Sequence, residues 1–128
     1  MFEHESAHPK ISFYHSDTWI YDGILMIQLQ PELVIDLNLA LQMQSDWHTL
    51  QNDAKKTVLD LNDLIYIEPS ARTLCVTTHE LLPANMIAIY ARSKFLQMIG
   101  RAFKVIDCPP YRVGIFSDLN KALVWLKQ

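Results

Sequence analysis

The stretch VLDLNDLIYIEPSARTL, Val58 to Leu74, decides how this chain is to be read. Lys56 to Leu61, KTVLDL, is a short β-prone run behind a polar turn and fits a strand. The following DLIYIEP leads to Pro69, which suits the first position of a helix because an N–H there would have no intrahelical partner. Ala71, Leu74, Cys75 and Thr78 then share one face at helical spacing. A strand that hands over to an amphipathic helix is half of a βαβ unit, so the flanking sequence should repeat the alternation.

It does so in both directions. Downstream, Met86 to Tyr90 is an uncharged β-prone run that reads as a buried central strand. Ser93 is placed to cap a helix whose apolar stripe is Phe95, Met98, Ile99, Ala102 and Phe103, with Lys94, Gln97, Arg101 and Lys104 pointing the other way. Gly100 inside that helix has no helical merit and marks close packing on a sheet. After Pro109 and Pro110, Tyr111 to Phe116 forms a last strand, and Ser117 or Asp118 caps a final helix with Leu119, Ala122, Leu123 and Leu126 inward.

Upstream, Thr18 to Tyr21 and Ile24 to Gln30 are β-prone runs joined by Asp22-Gly23, residues that tolerate the positive φ of a tight hairpin. Asp36 is an N-cap candidate for a helix reaching about Gln51, with Leu37, Ala40, Met43, Trp47 and Leu50 on its inner face. The resulting order, ββαβαβαβα, demands right-handed crossovers and a mixed, mostly parallel sheet with the first hairpin strand antiparallel at one side. The expected fold class is α/β. Residues 1 to 10 read as a flexible polar tail and residues 11 to 128 as one domain.

Composition narrows the function classes. The chain has 128 residues, half of them apolar and 20% charged, enough for one core without disulfides or structural metal. Its three glycines, Gly23, Gly100 and Gly114, are far apart, which excludes the clustered-glycine loops that bring backbone N–H groups onto a phosphate. The net charge of −3 does not suit a general nucleic-acid binder. The charges are unevenly placed: residues 1 to 64 carry three basic and ten acidic side chains, and residues 65 to 128 carry eight and four. The amino-terminal MFEHESAHPK lacks the apolar segment of a secretory signal, and the longest uncharged run, residues 81 to 91, is too short for a membrane span. A cytoplasmic location is the expectation, with Cys75 and Cys108 as free thiols.

The segment that opened this reading resembles the signature of STAS domains, the anti-sigma-factor antagonist or SpoIIAA-like fold. In that family a strand reading hydrophobic-x-[DN]-L-x-x-[VL]-x-[FY]-[IM] leads to D-S-S-G at the start of a helix. Asp60, Leu61, Leu64, Tyr66 and Ile67 fall on the matching positions. The element order fits the same fold over residues 11 to 128. SKFLQMIGRAFKVIDCPPYRVGIFSDLNKALVWL, Ser93 to Leu126, further resembles a group of small bacterial STAS-like proteins of uncharacterised function. In regulatory members the first serine of D-S-S-G is phosphorylated by a partner kinase, and the dephosphorylated protein binds that kinase. Here Glu68 stands for the aspartate, Pro69 for the phosphoacceptor, Ser70 for the second serine and Ala71 for the glycine. Proline has no hydroxyl, so modification would have to shift to Ser70, whose plainer role is that of a serine in the first helical turn.

Other constellations have a chemical and a plainer reading. Asp60 and Asp63, at the C-terminal end of a strand where open α/β sheets place ligands, could act as acid and base or hold Mg²⁺. More simply, Asp60 accepts loop N–H bonds and Asp63 is solvated. Cys75 and His79 lie four apart on one helix, but Cys75 belongs to the apolar stripe and reads as a structural thiol. His4, His8 and His15 precede any expected element and read as tail rather than metal ligands. Arg92, Lys94, Arg101, Lys104 and Arg112 fall among twenty-one residues with one acid, Asp107, and could meet an acidic partner.

The leading expectation is a non-enzymatic interaction module, without cofactor or metal. Its protein partner, a kinase-like or anti-sigma-type regulator, would dock on Asp63, Glu68, Pro69, Ser70 and Arg72 together with Lys94, Arg101 and Lys104. The alternative is a carrier of a small apolar ligand or lipid, with Met43, Trp47, Phe95, Met98 and Trp125 lining a cleft. Trp19 and Tyr21 could form the edge of a homodimer or cover the core.

Overall fold

The computed structural model describes residues 10–50, 54–77, 86–105 and 112–128. Along the chain these form β1 (Ile11–Ser12), β2 (Ser16–Tyr21), β3 (Ile24–Leu29), β4 (Leu33–Ile35), α1 (Leu37–His48), β5 (Lys56–Asp60), β6 (Leu64–Ile67), α2 (Pro69–Thr77), β7 (Met86–Tyr90), α3 (Lys94–Val105), β8 (Arg112–Phe116) and α4 (Leu119–Leu126). The expected tail and the Cys75/His79 pairing lie largely or wholly outside the described side chains.

The main sheet runs β1-β2-β3-β5-β7-β8, antiparallel from β1 to β3 and parallel thereafter. Alternation along its central strands divides the core in two. Leu25, Ile27 and Leu29 of β3, with Ile87 and Ile89 of β7, face the layer of α1, α2 and α3. Ile24 and Met26, Val58 of β5, and Met86 and Ala88 face α4, where they meet Ala122, Leu123 and Leu126. Strands buried on both faces need apolar side chains at successive positions, which is why β7 reads MIAIY.

The elements begin and end where local chemistry permits. Asp22 and Gly23 both adopt positive φ, 52° and 76°, and close the β2–β3 hairpin. Asp36 caps α1 by accepting from the Leu39 N–H at 2.8 Å, Ser93 caps α3 through the Leu96 N–H at 3.1 Å, and Asp118 caps α4 through the Asn120 N–H at 2.8 Å.

Three short strands were not expected: β1, β4 and β6. β4 and β6 form a separate parallel pair, and Leu33 lies opposite Leu64 while Val34 lies opposite Tyr66. Ile65 is the extra residue of a bulge in that ladder. A three-residue strand has no periodicity to detect, and its existence depends on a partner 31 to 32 residues away.

The facing of α3 also differs from expectation. Leu96 and Gly100 face the sheet with Ile99 and Phe103, whereas Phe95 and Met98 are 50% and 62% exposed. Apolar residues cover a wide arc of this helix, and the point of closest approach selects which part turns in. That point is Gly100, where an added Cβ would lie 3.3 Å from both Ile89 and Ile115 side chains. Leu37, expected on the inner face of α1, is exposed at the helix's first turn. Trp19 is buried with the α4 cluster, which settles its two readings in favour of the core.

Gly100→Leu should therefore push α3 off the sheet and destabilise the protein by about 1–3 kcal/mol. Urea unfolding would measure the loss, and Gln97→Leu, on the helix flank, should cost far less.

Candidate functional site

The loop that carries Asp60 to Asp63 is held by hydrogen bonds directed inward. Asp60 Oδ1 accepts from the Asn62 backbone N–H at 2.9 Å and from Asn62 Nδ2 at 2.8 Å, while Asn62 Oδ1 accepts from the Arg92 N–H at 2.7 Å. The Leu61 N–H donates to the Tyr90 carbonyl at 3.0 Å. This clamp ties the end of β5 to the start of α3. Burial pushes the Asp60 carboxyl above the ordinary aspartate range; the two Asn62 hydrogen bonds and nearby Arg92 oppose that shift, and Asp63 adds to it. Asp63 itself is exposed. The arrangement is the plainer one expected of the pair, and no metal-binding group of His, Cys, Asp or Glu occurs among the described residues.

From this loop the chain passes through β6 to the N-terminus of α2. The Glu68 N–H donates to the Ile35 carbonyl at 2.9 Å, which fastens the helix entry to β4. The Glu68 carbonyl accepts from the N–H groups of Ala71 and Arg72, at 3.0 and 3.2 Å, so Glu68 occupies the cap position and Pro69 the first helical one. These details bear on anion binding. Pro69 has no N–H, the Ala71 N–H is spent on the Glu68 carbonyl, and the Glu68 carboxylate already supplies negative charge at the end where a phosphate would gain from the helix dipole. Ser70 is exposed in the first turn.

Around this entry lies an apolar surface that no sequence pattern announced. Val34 and Tyr66 oppose each other across the β4–β6 pair, and both are exposed, as is bulged Ile65. Leu37 and Leu41, one turn apart on α1, are exposed as well. Sheets normally hide such residues, and exposed apolar side chains on a short strand pair are a frequent mark of an interaction site.

The basic residues expected at the site lie in three places. Lys94 stands next to the capping Ser93, at the same end of the sheet as the Asn62–Arg92 clamp. Arg101 and Lys104 instead line a shallow groove with Gln97, Ile115 and Ser117 beside β8. Arg72 points differently again: it borders an apolar cavity of about 100 Å³ between the sheet and the helices, lined also by Met43, Trp47, Ile89 and Phe103. Of the side chains expected in a ligand cleft, Met43 and Trp47 border this cavity. Exposed Phe95 and Met98 do not, and Trp125 packs on the opposite face of the sheet.

His15 is a correction. It is not part of a solvated tail but fully buried, with Nε2 2.8 Å from Asp46 Oδ2 and Nδ1 2.9 Å from Ser16 Oγ. Trp47 Nε1 donates to the same Ser16 oxygen at 3.0 Å, and Gln42 Nε2 donates to Asp46 Oδ1 at 3.0 Å. Phe13 stacks on the imidazole at 5.3 Å. Serine, histidine and carboxylate are aligned, but Ser16 is also fully buried, so no substrate can reach its hydroxyl. The set serves to satisfy polar groups between β2 and α1. Its members are 31 residues apart, and nothing local links them.

Comparison with known proteins follows the geometry. A family profile described as "Domain of unknown function (DUF7793)" matches residues 18–128. No curated protein matches the sequence. Among solved structures, an uncharacterised DUF3478 protein with a SpoIIAA-like fold from Shewanella loihica PV-4 is similar at 16% identity and a TM-score of 0.55, covering 94% of this chain and 92% of its own. An anti-sigma factor antagonist from Mycobacterium paratuberculosis is similar at 12% identity and a TM-score of 0.57, covering 95% and 96%. The unphosphorylated anti-sigma factor antagonist SpoIIAA is similar at 12% identity and 0.53, covering 94% and 98%. The fold is SpoIIAA-like, as the resemblance of the β5–α2 segment implied. No described helix is long and apolar enough to cross a membrane.

The Asp60 shift fixes a sign. A carboxyl whose folded-state pKa is raised favours the fold when protonated, and that contribution is lost as pH rises through the folded value. Asp60→Asn keeps the acceptor for Asn62 and removes the buried charge. The variant's stability relative to wild type should be lowest below the ordinary aspartate pKa, increase as pH rises through the folded value, and level off above it. Denaturant unfolding across that range would check it; a relative stability that falls with increasing pH would contradict the assignment.

Proposed function

We propose a role for this chain, which belongs to the DUF7793 family, as a non-enzymatic interaction module of STAS-like fold that docks a protein partner over the α2 N-terminus. The observation that carries this reading is the exposed apolar surface of Val34, Leu37, Ile65 and Tyr66 beside Glu68, Pro69 and Ser70. Two structures of similar fold are named anti-sigma factor antagonists, a name that describes action on another protein. In this reading Asp63, Glu68, Ser70 and Lys94 form a polar rim around the apolar centre, the usual anatomy of a protein interface, while Arg72 borders the cavity between sheet and helices. The partner is of kinase or anti-sigma type, and the complex forms in the cytoplasm. Arg101 and Lys104 line the groove beside β8 and lie outside this site, and a homodimer is not required by it.

The module is constitutive at this surface. Pro69 cannot accept phosphate, and a phosphate on Ser70 would sit against Glu68 at a helix entry already short of N–H donors. The carrier alternative draws on the apolar cavity, but about 100 Å³ is well short of the several hundred that small-molecule sites commonly offer.

Tyr66→Asp combined with Val34→Asp should abolish recovery of the specific partner from the native host while leaving the fold intact, because both side chains already face solvent. Affinity capture followed by mass spectrometry, with circular dichroism as the folding control, tests this. Partner recovery unchanged by the double substitution would overturn the docking site. Incubation with the kinase encoded nearest the gene should leave Ser70 unmodified, and phosphate mapped to Ser70 would overturn the loss of the switch.

A further inference from the structure

The main sheet ends at β8, whose single neighbour in the described sheet is β7. The Phe116 carbonyl accepts from the Ala91 N–H at 2.9 Å, so the Phe116 peptide group turns toward the β7 side. Successive residues of a strand direct their peptide groups to opposite edges. Arg112, Gly114 and Phe116 therefore serve the ladder, and Val113 and Ile115 present their N–H and C=O groups along the open edge.

This edge is bordered from both layers. On the α3 side Gln97, Arg101 and Lys104 stand over Ile115 and Ser117. On the α4 side Arg112 lies over the Trp125 ring at 5.5 Å, and the groove there runs along the whole of β8. Three cations thus line the edge, and no carboxylate is among its described lining residues. Asp118, the nearest acid in sequence, is occupied as the α4 cap.

Open edges invite pairing, and the charges decide with what. A second copy of β8 laid against the first would bring two sets of Arg101, Lys104 and Arg112 together, which like-charge repulsion opposes. A helix could not use the outward peptide groups. We infer that the β8 edge is a docking site for an extended acidic segment of a partner polypeptide, added as a further strand with its carboxylates against Arg101, Lys104 and Arg112. The inference takes from the interaction-module reading only that the partner is a protein, and it uses a different surface.

The test uses the full chain, labelled with ¹⁵N, and a capped peptide of about seven residues, Val-Glu-Glu-Val-Glu-Glu-Val, which carries carboxylates on both faces when extended and is long enough to span the five-residue strand. Two further probes carry N-methyl groups on alternate peptide nitrogens, one along each edge of the extended peptide. A fourth replaces Glu with Lys. The parent peptide should shift the amide signals of Val113 and Ile115. One N-methylated probe should lose about tenfold or more in affinity and the other should not, because only one edge faces β8. The Lys probe should not bind, and Lys104→Glu with Arg112→Glu should weaken the parent by a similar factor without changing the circular dichroism spectrum. Val34→Asp with Tyr66→Asp should leave peptide binding unchanged, which separates this site from the α2 surface. Absence of binding at millimolar peptide, equal loss or no loss for both N-methylated probes, shifts centred on α2, or self-association through β8 would each overturn the proposal.

Discussion

Two-sided burial of the parallel strands β5 and β7 is the constraint on which the remaining architecture depends. Val58, Met86 and Ala88 look one way while Ile87 and Ile89 look the other, so neither face can be left to water. Among the described elements one face takes α1, α2 and α3, and the other takes α4. Ala88 and Ala122, both fully buried, show how closely α4 must lie on its side. On the other side the same role falls to Gly100, whose missing side chain admits Ile89 and Ile115. The helices are thus fixed by contacts made at small residues, and their outer surfaces follow from that fixing.

Those outer surfaces are where this molecule has its chemical character. Because α3 approaches through Gly100, Phe95 and Met98 are turned out, and Gln97, Arg101 and Lys104 are turned toward β8. Because Glu68 is tied to Ile35, the α2 entry is set beside the β4–β6 pair, whose outward side chains are Val34 and Tyr66. A helix entry that elsewhere would attract an anion has here a proline, an acidic cap residue and an N–H already engaged. Its neighbourhood is apolar, and in the proposed reading it meets a protein surface rather than a phosphate.

Much of the fold was legible because its signals are local. Asp22-Gly23 needs only its own φ angles to close a hairpin, Asp36, Ser93 and Asp118 need only the first helical turn to act as caps, and MIAIY is apolar at every position that a doubly covered strand buries. The α2 entry was legible for the same reason, since Pro69 and Ser70 identify themselves. The apolar patch was not. Val34 and Tyr66 come from strands too short to show alternation, and they become neighbours only when β4 and β6 pair. The His15–Ser16–Asp46–Trp47 set was equally hidden, as β2 and α1 must pack before its hydrogen bonds exist.

By itself, then, the order of residues determined the helices and the longer strands, their succession and the absence of a hydroxyl at position 69, since each depends on side-chain identity and spacing of a few residues. Tertiary structure decided which arc of α3 is inward, where the cations lie relative to the sheet edge, and which apolar side chains remain outside. Those outcomes are set by the closest approach between distant segments, and packing at Gly100 and pairing at Val34 and Tyr66 have no local equivalent.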